Sequence, residues 1–176
     1  MKTEPQERAG VVTMRGAPLT LLGPDVKVGE KAPDFKVVDA AFKPVQLSDF
    51  KGQVVLVSAV PSLDTKVCSI QTKRFNAEAE KLPPDVVILT ISQDLPFAQS
   101  RFCGTAGIDR VETLSDYRDA SFGENYGVLI KEFRLLARAV FVIGADDVVK
   151  YVEYVKETTE HPDYEQALAA ARTAAG

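Results

Sequence analysis

The stretch from Val54 to Asn76, VVLVSAVPSLDTKVCSIQTKRFN, constrains the fold more than any other part of the chain. It begins with apolar, mostly β-branched residues, continues through a loop rich in Pro, Ser, Asp and Thr, and ends in a helical pattern. If Thr65 is the N-cap, its hydroxyl can accept the backbone N–H of Cys68, which places the thiol in the first helical turn. We therefore predict a strand, a loop and a helix that carries Cys68 at its N-terminus.

Cys68 is a candidate nucleophile because of this position. Unpaired N–H groups and the positive end of the helix dipole stabilise a thiolate, which is the reactive form of cysteine. Free cysteines are also among the most buried residue types, so inert packing is the alternative for any single cysteine.

Composition indicates one soluble domain. The 176 residues are 45% hydrophobic and 26% charged, which is ordinary for a globular protein. The net charge is −4 and no basic stripe alternates with aromatic residues, so no nucleic acid partner is expected. The longest apolar runs are far shorter than the roughly 20 residues that span a bilayer, so no membrane partner is expected either.

Two further observations bear on the compartment. The N-terminal sequence MKTEPQERAGVV carries charges and a proline where a signal peptide needs an apolar stretch, so we expect a cytoplasmic protein. The chain has two cysteines, and in an intracellular protein such a pair is more often catalytic or redox-sensing than a structural bridge.

Periodicity and turn residues predict a tail over residues 1–10 and a single domain over residues 11–176. The predicted strands are a hairpin over Val11–Leu22 that turns at Gly16, then segments 34–39, 54–60, 86–91, 111–114, 137–143 and 148–155. The predicted helical segments are a turn at 47–52 capped by Ser48, a helix from the Cys68 region to about 82, a helix from Pro96 to 104–107 with Asp94 as a possible cap, and helices at 119–126 and 163–174. This order predicts an α/β three-layer sandwich with an N-terminal β-hairpin.

Three segments of the chain resemble the thiol peroxidase subfamily of the peroxiredoxins, of the atypical two-cysteine type. PSLDTKVCSIQTKRFN, with its P-x-x-x-T-x-x-C pattern, is similar to the peroxidatic-cysteine motif. SQDLPFAQSRFC is similar to the resolving-cysteine segment, and LARAVFVI to the strand that carries the active-site arginine. The resemblance implies a thioredoxin-like α/β/α fold. The predicted order of strands and helices also resembles that fold.

The resemblance also implies roles for individual residues. Cys68 would attack the peroxide, Thr65 would contact the thiolate and the bound peroxide, and Pro61 would shield the thiolate from water. Arg138 would stabilise the thiolate and grip the peroxide oxygens. Without the resemblance, an arginine between two alanines of an apolar strand fits a solvated edge equally well.

Cys103 matches the cysteine that resolves the sulfenic acid within the same chain in this subfamily. A sulfenic acid condenses with a nearby thiol to a disulfide, and local unwinding is needed if the two thiols start far apart. The alternative for Cys103 is a buried cysteine near a helix end. The resemblance further implies a hydroperoxide substrate, thioredoxin or a similar dithiol as reductant, a homodimer, and no metal or organic cofactor.

Other chemistries have less support in the sequence. The one histidine, His161, stands before Pro162 and fits a surface position at a helix start. One Cys and one His satisfy a protease by count alone, but no protease motif surrounds Cys68. No C-x-x-C pair, zinc ligand set or phosphate-binding glycine loop is present. A peroxide-responsive sensor that uses the Cys68–Cys103 disulfide as a switch remains the alternative to an enzyme.

Overall fold

The computed structural model describes residues 3–176, in ten strands, four α-helices and one 3₁₀ turn. The strands are β1 Glu7–Met14, β2 Ala17–Leu22, β3 Lys36–Val38, β4 Pro44–Gln46, β5 Val54–Ala59, β6 Val86–Ser92, β7 Glu112–Ser115, β8 Leu129–Ile130, β9 Ala139–Ile143 and β10 Val149–Tyr154. The helices are α1 Lys66–Ala79, α2 Pro96–Ala106, α3 Ser121–Asn125 and α4 Tyr164–Ala175, and the 3₁₀ turn is Leu47–Phe50.

Seven strands form one mixed sheet in the order β10-β9-β5-β6-β7-β3-β4. The central pairs β5–β6 and β6–β7 are parallel, and β9 runs antiparallel beside β5. Every residue of β5 is buried, because β5 is an inner strand of the sheet and both of its faces are covered. This burial explains why its sequence is almost entirely apolar. The strand that leads to Cys68 therefore lies at the middle of the molecule.

Two hydrophobic clusters cover the two faces of this sheet. One cluster contains Phe75 of α1 and Leu168 of α4, with Phe102 of α2 packed against it. The other contains Phe122 of α3 and residues of the N-terminal hairpin such as Leu21. Helices thus lie on both faces, which confirms the predicted α/β three-layer sandwich of thioredoxin-like type with an N-terminal β-hairpin.

The N-terminal hairpin forms a separate small sheet in the order β1-β2-β8. It turns at Arg15 and Gly16, which have φ values of 50° and 81°, and two such left-handed residues suit a tight two-residue hairpin. The predicted tail over residues 1–10 was too long. Strand β1 starts at Glu7, because Glu7 and Arg8 pair with Leu22 and Leu21; residues 1 and 2 lie outside the described part.

Three local predictions were wrong. Ser48 does not precede the 3₁₀ turn: the N-cap is Gln46, whose backbone N–H donates to Asp49 over 2.9 Å. Asp94 does not cap α2, because Leu95 occupies the N-cap and the Asp94 carboxylate turns toward the loop before α1. Arg138 immediately precedes β9 and does not lie within it.

Candidate active site

Cys68 lies in the first turn of α1, the helix that follows the central strand β5. The chain leaves β5, passes through residues 60–65 and enters α1, with Thr65 as N-cap and Cys68 as the third helical residue, as predicted. The Cys68 side chain is completely buried and packs with Val60 and Leu63. Its thiol is free, so no disulfide holds it. The site therefore combines an unoxidised sulfur with the N-terminal end of a helix.

The Thr65 hydroxyl contacts the sulfur directly. Thr65 Oγ1 lies 2.8 Å from Cys68 Sγ and 2.8 Å from the backbone oxygen of Ser62. The predicted bond from the Cys68 N–H to this hydroxyl is absent from the structure, in which the Thr65 side chain makes no cap bond. Because a hydroxyl carries one proton and accepts through its lone pairs, Thr65 can donate to a thiolate or accept from a thiol while it donates to Ser62.

Arg138 supplies the positive charge at the sulfur. Its Nη1 and Nη2 each lie 3.5 Å from Cys68 Sγ, and the residue is only 2% exposed. Nε and Nη2 also donate to the backbone oxygen of Thr158 over 3.0 and 2.9 Å. The structure thus brings Arg138 and Cys68 together and excludes the solvated-edge position that the sequence left open.

Gln71 holds the guanidinium from the helix side, one turn after Cys68. Its Oε1 accepts from Arg138 Nη1 over 2.9 Å, and its Nε2 donates to Ser58 Oγ over 2.7 Å. Gln71 and Ser58 are fully buried. Neither residue was predicted from the sequence. The available indication was a glutamine among the buried positions of α1, where a polar side chain needs a partner.

Cys103 is not in contact with Cys68 in this structure. It starts the last turn of α2, and its Sγ lies 3.4 Å from Thr113 Oγ1 of β7. Its neighbour Phe102 packs against the cluster that contains Cys68, whereas Cys103 packs against the cluster formed by α1, α4 and the sheet. Both thiols are free.

A cavity of about 500 Å³ adjoins the residues that contact the Cys68 sulfur. Pro61, Thr65 and Arg138 line it on the Cys68 side. The opposite wall comes from the N-terminal hairpin and from the loop before Arg138, through Met14, Arg15, Ala17, Leu19 and Phe133. Phe133 is 51% exposed, which is high for a phenylalanine and places an apolar ring at the cavity rim. A contribution of the hairpin to the site was not predicted from the sequence.

Comparison with known proteins shows the family to which the chain belongs. Residues 27–168 match the Redoxin family model. A thiol peroxidase of Halalkalibacterium halodurans is 60% identical over 93% of this chain and 98% of its own, and that of Bacillus subtilis is 56% identical over 92% and 96%. The chain belongs to the thiol peroxidase family. The predicted resemblance is therefore confirmed.

Solved structures of related proteins share the fold. A peroxiredoxin-like protein from Aquifex aeolicus is 38% identical and superposes with a TM-score of 0.88 over 96% of this chain and 98% of its own. A thiol peroxidase from Chromobacterium violaceum, 24% identical, superposes with a TM-score of 0.79 over 88% and 91%, which shows the shared fold. In the described part of this family member, no helix is long and apolar enough to cross a membrane.

Glu157 joins the hairpin to the segment that holds the arginine of this thiol peroxidase family member. One carboxylate oxygen accepts from Gly16 N–H and Thr13 Oγ1 over 2.8 and 3.0 Å, and the other from Thr159 N–H and Oγ1 over 2.8 and 2.6 Å. The bonds from Thr159 and Gly16 lower the pKa of Glu157 to about 2. Thr158, which accepts from Arg138, lies between these contacts, so the cavity wall and the arginine share one support.

His161 stays outside the site, as predicted. It is exposed before α4, and its Nδ1 lies 2.7 Å from the Tyr164 hydroxyl. Within residues 3–176, no group of three or more His, Cys, Asp and Glu side chains is placed to hold a metal ion.

Proposed function

We propose that this thiol-dependent peroxidase reduces hydroperoxides through Cys68. The observation that carries the proposal is the convergence of Thr65 Oγ1 at 2.8 Å and two Arg138 nitrogens at 3.5 Å on one buried sulfur. The Cys68 thiolate attacks one peroxide oxygen, the O–O bond breaks, and the other oxygen leaves as hydroxide or alkoxide and takes up a proton. The sulfur becomes a sulfenic acid and the peroxide becomes water or an alcohol.

Each neighbouring residue has a part in this step. The planar guanidinium of Arg138 stabilises negative charge on the sulfur and on the leaving oxygen with fixed, water-excluded donors. Thr65 donates to whichever of these atoms carries the charge. Pro61 is buried at the cavity wall and keeps water from the thiolate.

The substrates are hydrogen peroxide and alkyl or lipid hydroperoxides. A cavity of about 500 Å³ with apolar residues on its hairpin side is far larger than hydrogen peroxide needs. Cavities of roughly 300–1,000 Å³ hold organic ligands of moderate size. Met14, Leu19 and Phe133 would contact the alkyl chain while Arg138 and Thr65 hold the peroxide oxygens.

Cys103 completes the cycle in this proposal. Its thiol attacks the Cys68 sulfenic acid, an S–S bond forms, and the oxygen leaves as water. A dithiol such as thioredoxin then reduces the disulfide by two exchange steps and is itself oxidised. The position of Phe102 supports this pairing, because the residue next to Cys103 already packs against the Cys68 cluster. The reducing cytoplasm is the compartment that maintains such a dithiol.

We also propose a homodimer that packs near the Cys68 loop. The support is an apolar patch at the start of α2, where Leu95 is 50% and Phe97 71% exposed and where Phe97 contacts Phe42 with ring centroids 5.2 Å apart. Patches of this kind mark interaction sites. Sedimentation of a Phe97→Glu variant should show a monomer, and Val28→Glu, a substitution at another exposed apolar residue, should leave the dimer intact.

A non-reducing peptide map tests the cycle directly. One equivalent of hydrogen peroxide should consume both thiols and link the Cys68 and Cys103 peptides. Cys68→Ser should abolish peroxidase activity. Cys103→Ser should allow one round of oxidation and block turnover with thioredoxin. If both thiols of the wild-type protein survive, the peroxidase proposal fails, and disulfide formation without turnover by any dithiol would favour the sensor.

A further inference from the structure

The Asp94 carboxylate forms hydrogen bonds to the Cys68 loop, residues 60–65, which precedes α1. One oxygen accepts from Ser62 Oγ over 2.7 Å, and the other accepts from Leu63 N–H over 2.8 Å and from Ser92 Oγ over 2.8 Å. Ser62 and Leu63 lie between Pro61 and Thr65, within the segment that covers the sulfur. A single side chain outside the loop thus holds a backbone donor and a side-chain donor of that loop.

Asp94 is itself hydrogen-bonded to a base that is formed by the ends of β6 and β7. Its backbone oxygen accepts from Ser115 Oγ at the end of β7. Gln99, one turn into α2, donates to Ser92 Oγ over 3.1 Å and to the Leu114 backbone oxygen over 2.8 Å. The N-terminal end of α2 is therefore tied to β6 and β7, and the Cys68 loop is attached to this base through the Asp94 carboxylate.

Cys68 and Cys103 occupy different surroundings, so at least one of them has to leave its position before a disulfide can form. Cys68 has no exposed surface and packs with Leu63 and Phe102, while Cys103 Sγ lies against Thr113. A disulfide needs the two sulfurs within about 2 Å of each other. Leu63 donates through its N–H to Asp94, so withdrawing Cys68 from this cluster disturbs the bond to Asp94.

We propose that Asp94 is a positioning residue whose hydrogen bonds hold the Cys68 loop closed and thereby set the rate of disulfide formation with Cys103. This inference rests on the proposed two-cysteine cycle. Peroxide reacts with the closed form, which predominates, so a modest loss of closure barely changes that step. Disulfide formation draws on the small open fraction, so its rate rises in proportion to that fraction.

The hydrogen bonds of the Asp94 carboxylate, which we call the latch, also affect how much Cys68 is lost to further oxidation. While the loop stays closed, a second hydroperoxide can attack: the Cys68 sulfenate takes one oxygen and becomes a sulfinate, and the hydroperoxide becomes an alcohol. This reaction competes with attack by Cys103. A weaker latch should therefore shift the outcome toward the disulfide and away from the sulfinate.

Asp94→Asn tests the latch. The amide keeps one acceptor oxygen but turns an NH₂ group toward donors, so at least one charge-assisted bond is lost. We expect disulfide formation to accelerate about tenfold and the peroxide step to change less than about twofold. The peroxide concentration that gives half sulfinate should rise about tenfold as well. Since the chain has no tryptophan, acid-quenched samples should be followed by intact mass.

Asp64→Asn is the matched control, because Asp64 lies on the same loop and is 75% exposed, with its carboxylate 3.9 Å from Arg101. It removes the same charge without touching the latch and should behave as wild type. If Asp94→Asn does not fold, as judged by circular dichroism, Ser62→Ala is the second test. It removes one of the three bonds to Asp94, together with the bond from the Asp64 N–H to Ser62 Oγ, and should accelerate disulfide formation about threefold.

The outcomes separate this inference from the cycle on which it rests. Faster disulfide formation with an unchanged peroxide step supports the latch. A disulfide rate equal to that of wild type or of Asp64→Asn overturns it, and so does a slower rate. If the wild-type protein forms no Cys68–Cys103 disulfide at all, the cycle itself fails.

Discussion

Arg138 places two guanidinium nitrogens, Nη1 and Nη2, at the same distance of 3.5 Å from Cys68 Sγ. The guanidinium is kept in this orientation by bonds to the Thr158 backbone oxygen and to Gln71 Oε1. Every side of the charged group is thus engaged, which is the arrangement expected when a planar cation has to face one atom in a buried site.

Arg138→Lys should slow the reaction with peroxide by about 100-fold. A single ammonium cannot occupy both nitrogen positions at the sulfur and also satisfy Thr158 and Gln71. The rate of Cys68 oxidation in single-turnover experiments measures the effect. Arg101→Lys on α2, where the arginine is 74% exposed, is the control and should match wild type. Wild-type activity of Arg138→Lys would remove Arg138 from the proposed mechanism.

Gln71→Leu should lower the oxidation rate about tenfold and destabilise the protein by about 1–3 kcal/mol. The leucine leaves Ser58 Oγ and Arg138 Nη1 without their buried partner. A double-mutant cycle with Arg138→Lys separates these effects, because a residue that acts through Arg138 should have little further effect on rate once Arg138 is changed. Additive losses of activity would contradict this role. Urea denaturation measures the stability part.

Glu157→Gln should reduce turnover of a bulky hydroperoxide such as cumene hydroperoxide more than turnover of hydrogen peroxide. An amide cannot accept at both ends, so the bonds to either the hairpin or Thr159 fail, and the cavity wall loosens. We expect kcat/KM for the bulky substrate to fall about tenfold. Glu160→Gln, an exposed substitution on the same loop, is the control. An equal loss for both substrates would contradict a role in the cavity wall.

The pH dependence of the Glu157 contact follows from its lowered pKa. The folded-state pKa of about 2 lies below the usual 4.5, so the unfolded chain takes up the proton first as the pH falls. The stabilisation by Glu157 should be complete above about pH 4.5 and lost as the pH falls toward about 2. Thermal melting of wild type and Glu157→Gln across this window should converge at the acid end.

Asp116 should make the protein less stable as the pH rises from about 4 to about 7. Burial raises the pKa of this carboxyl from 3.8 to about 7, against the lowering effect of N–H bonds from Gly123 and Phe122. Between these values the folded chain holds a proton that the unfolded chain has released, so the free energy of unfolding falls, by on the order of 2–4 kcal/mol.

Urea denaturation at pH 5 and pH 8 checks this prediction, with Asp116→Asn as the reference protein. The fall in unfolding free energy that is specific to Asp116 should disappear in the variant, whose amide does not titrate. An identical pH dependence in both proteins would show that Asp116 does not titrate in this range.

Local sequence patterns were enough to predict several elements of the fold. A run of buried β-branched residues, a loop and a helix pattern were enough to place Cys68 third in α1, because strand burial and helix initiation depend on residues a few positions apart. The same reasoning located the turn at Gly16 and Pro96 as the first residue of α2. The family resemblance added Arg138, whose neighbours in sequence do not distinguish an active-site arginine from a solvated one.

The surroundings of the Cys68 sulfur, in contrast, depend on tertiary packing. Thr65 turned its hydroxyl to Cys68 Sγ and away from the helix N–H groups, and Asp94 bonded to the Cys68 loop and did not cap its own helix. Each side chain could have capped the N-terminus of the adjacent helix but bonds to another group instead. Gln71 and Glu157 meet their partners through the packing of α1, the segment before β9 and the hairpin. Such contacts join segments that are far apart in the chain, so their geometry follows from how the sheets and helices pack, which local sequence patterns do not encode.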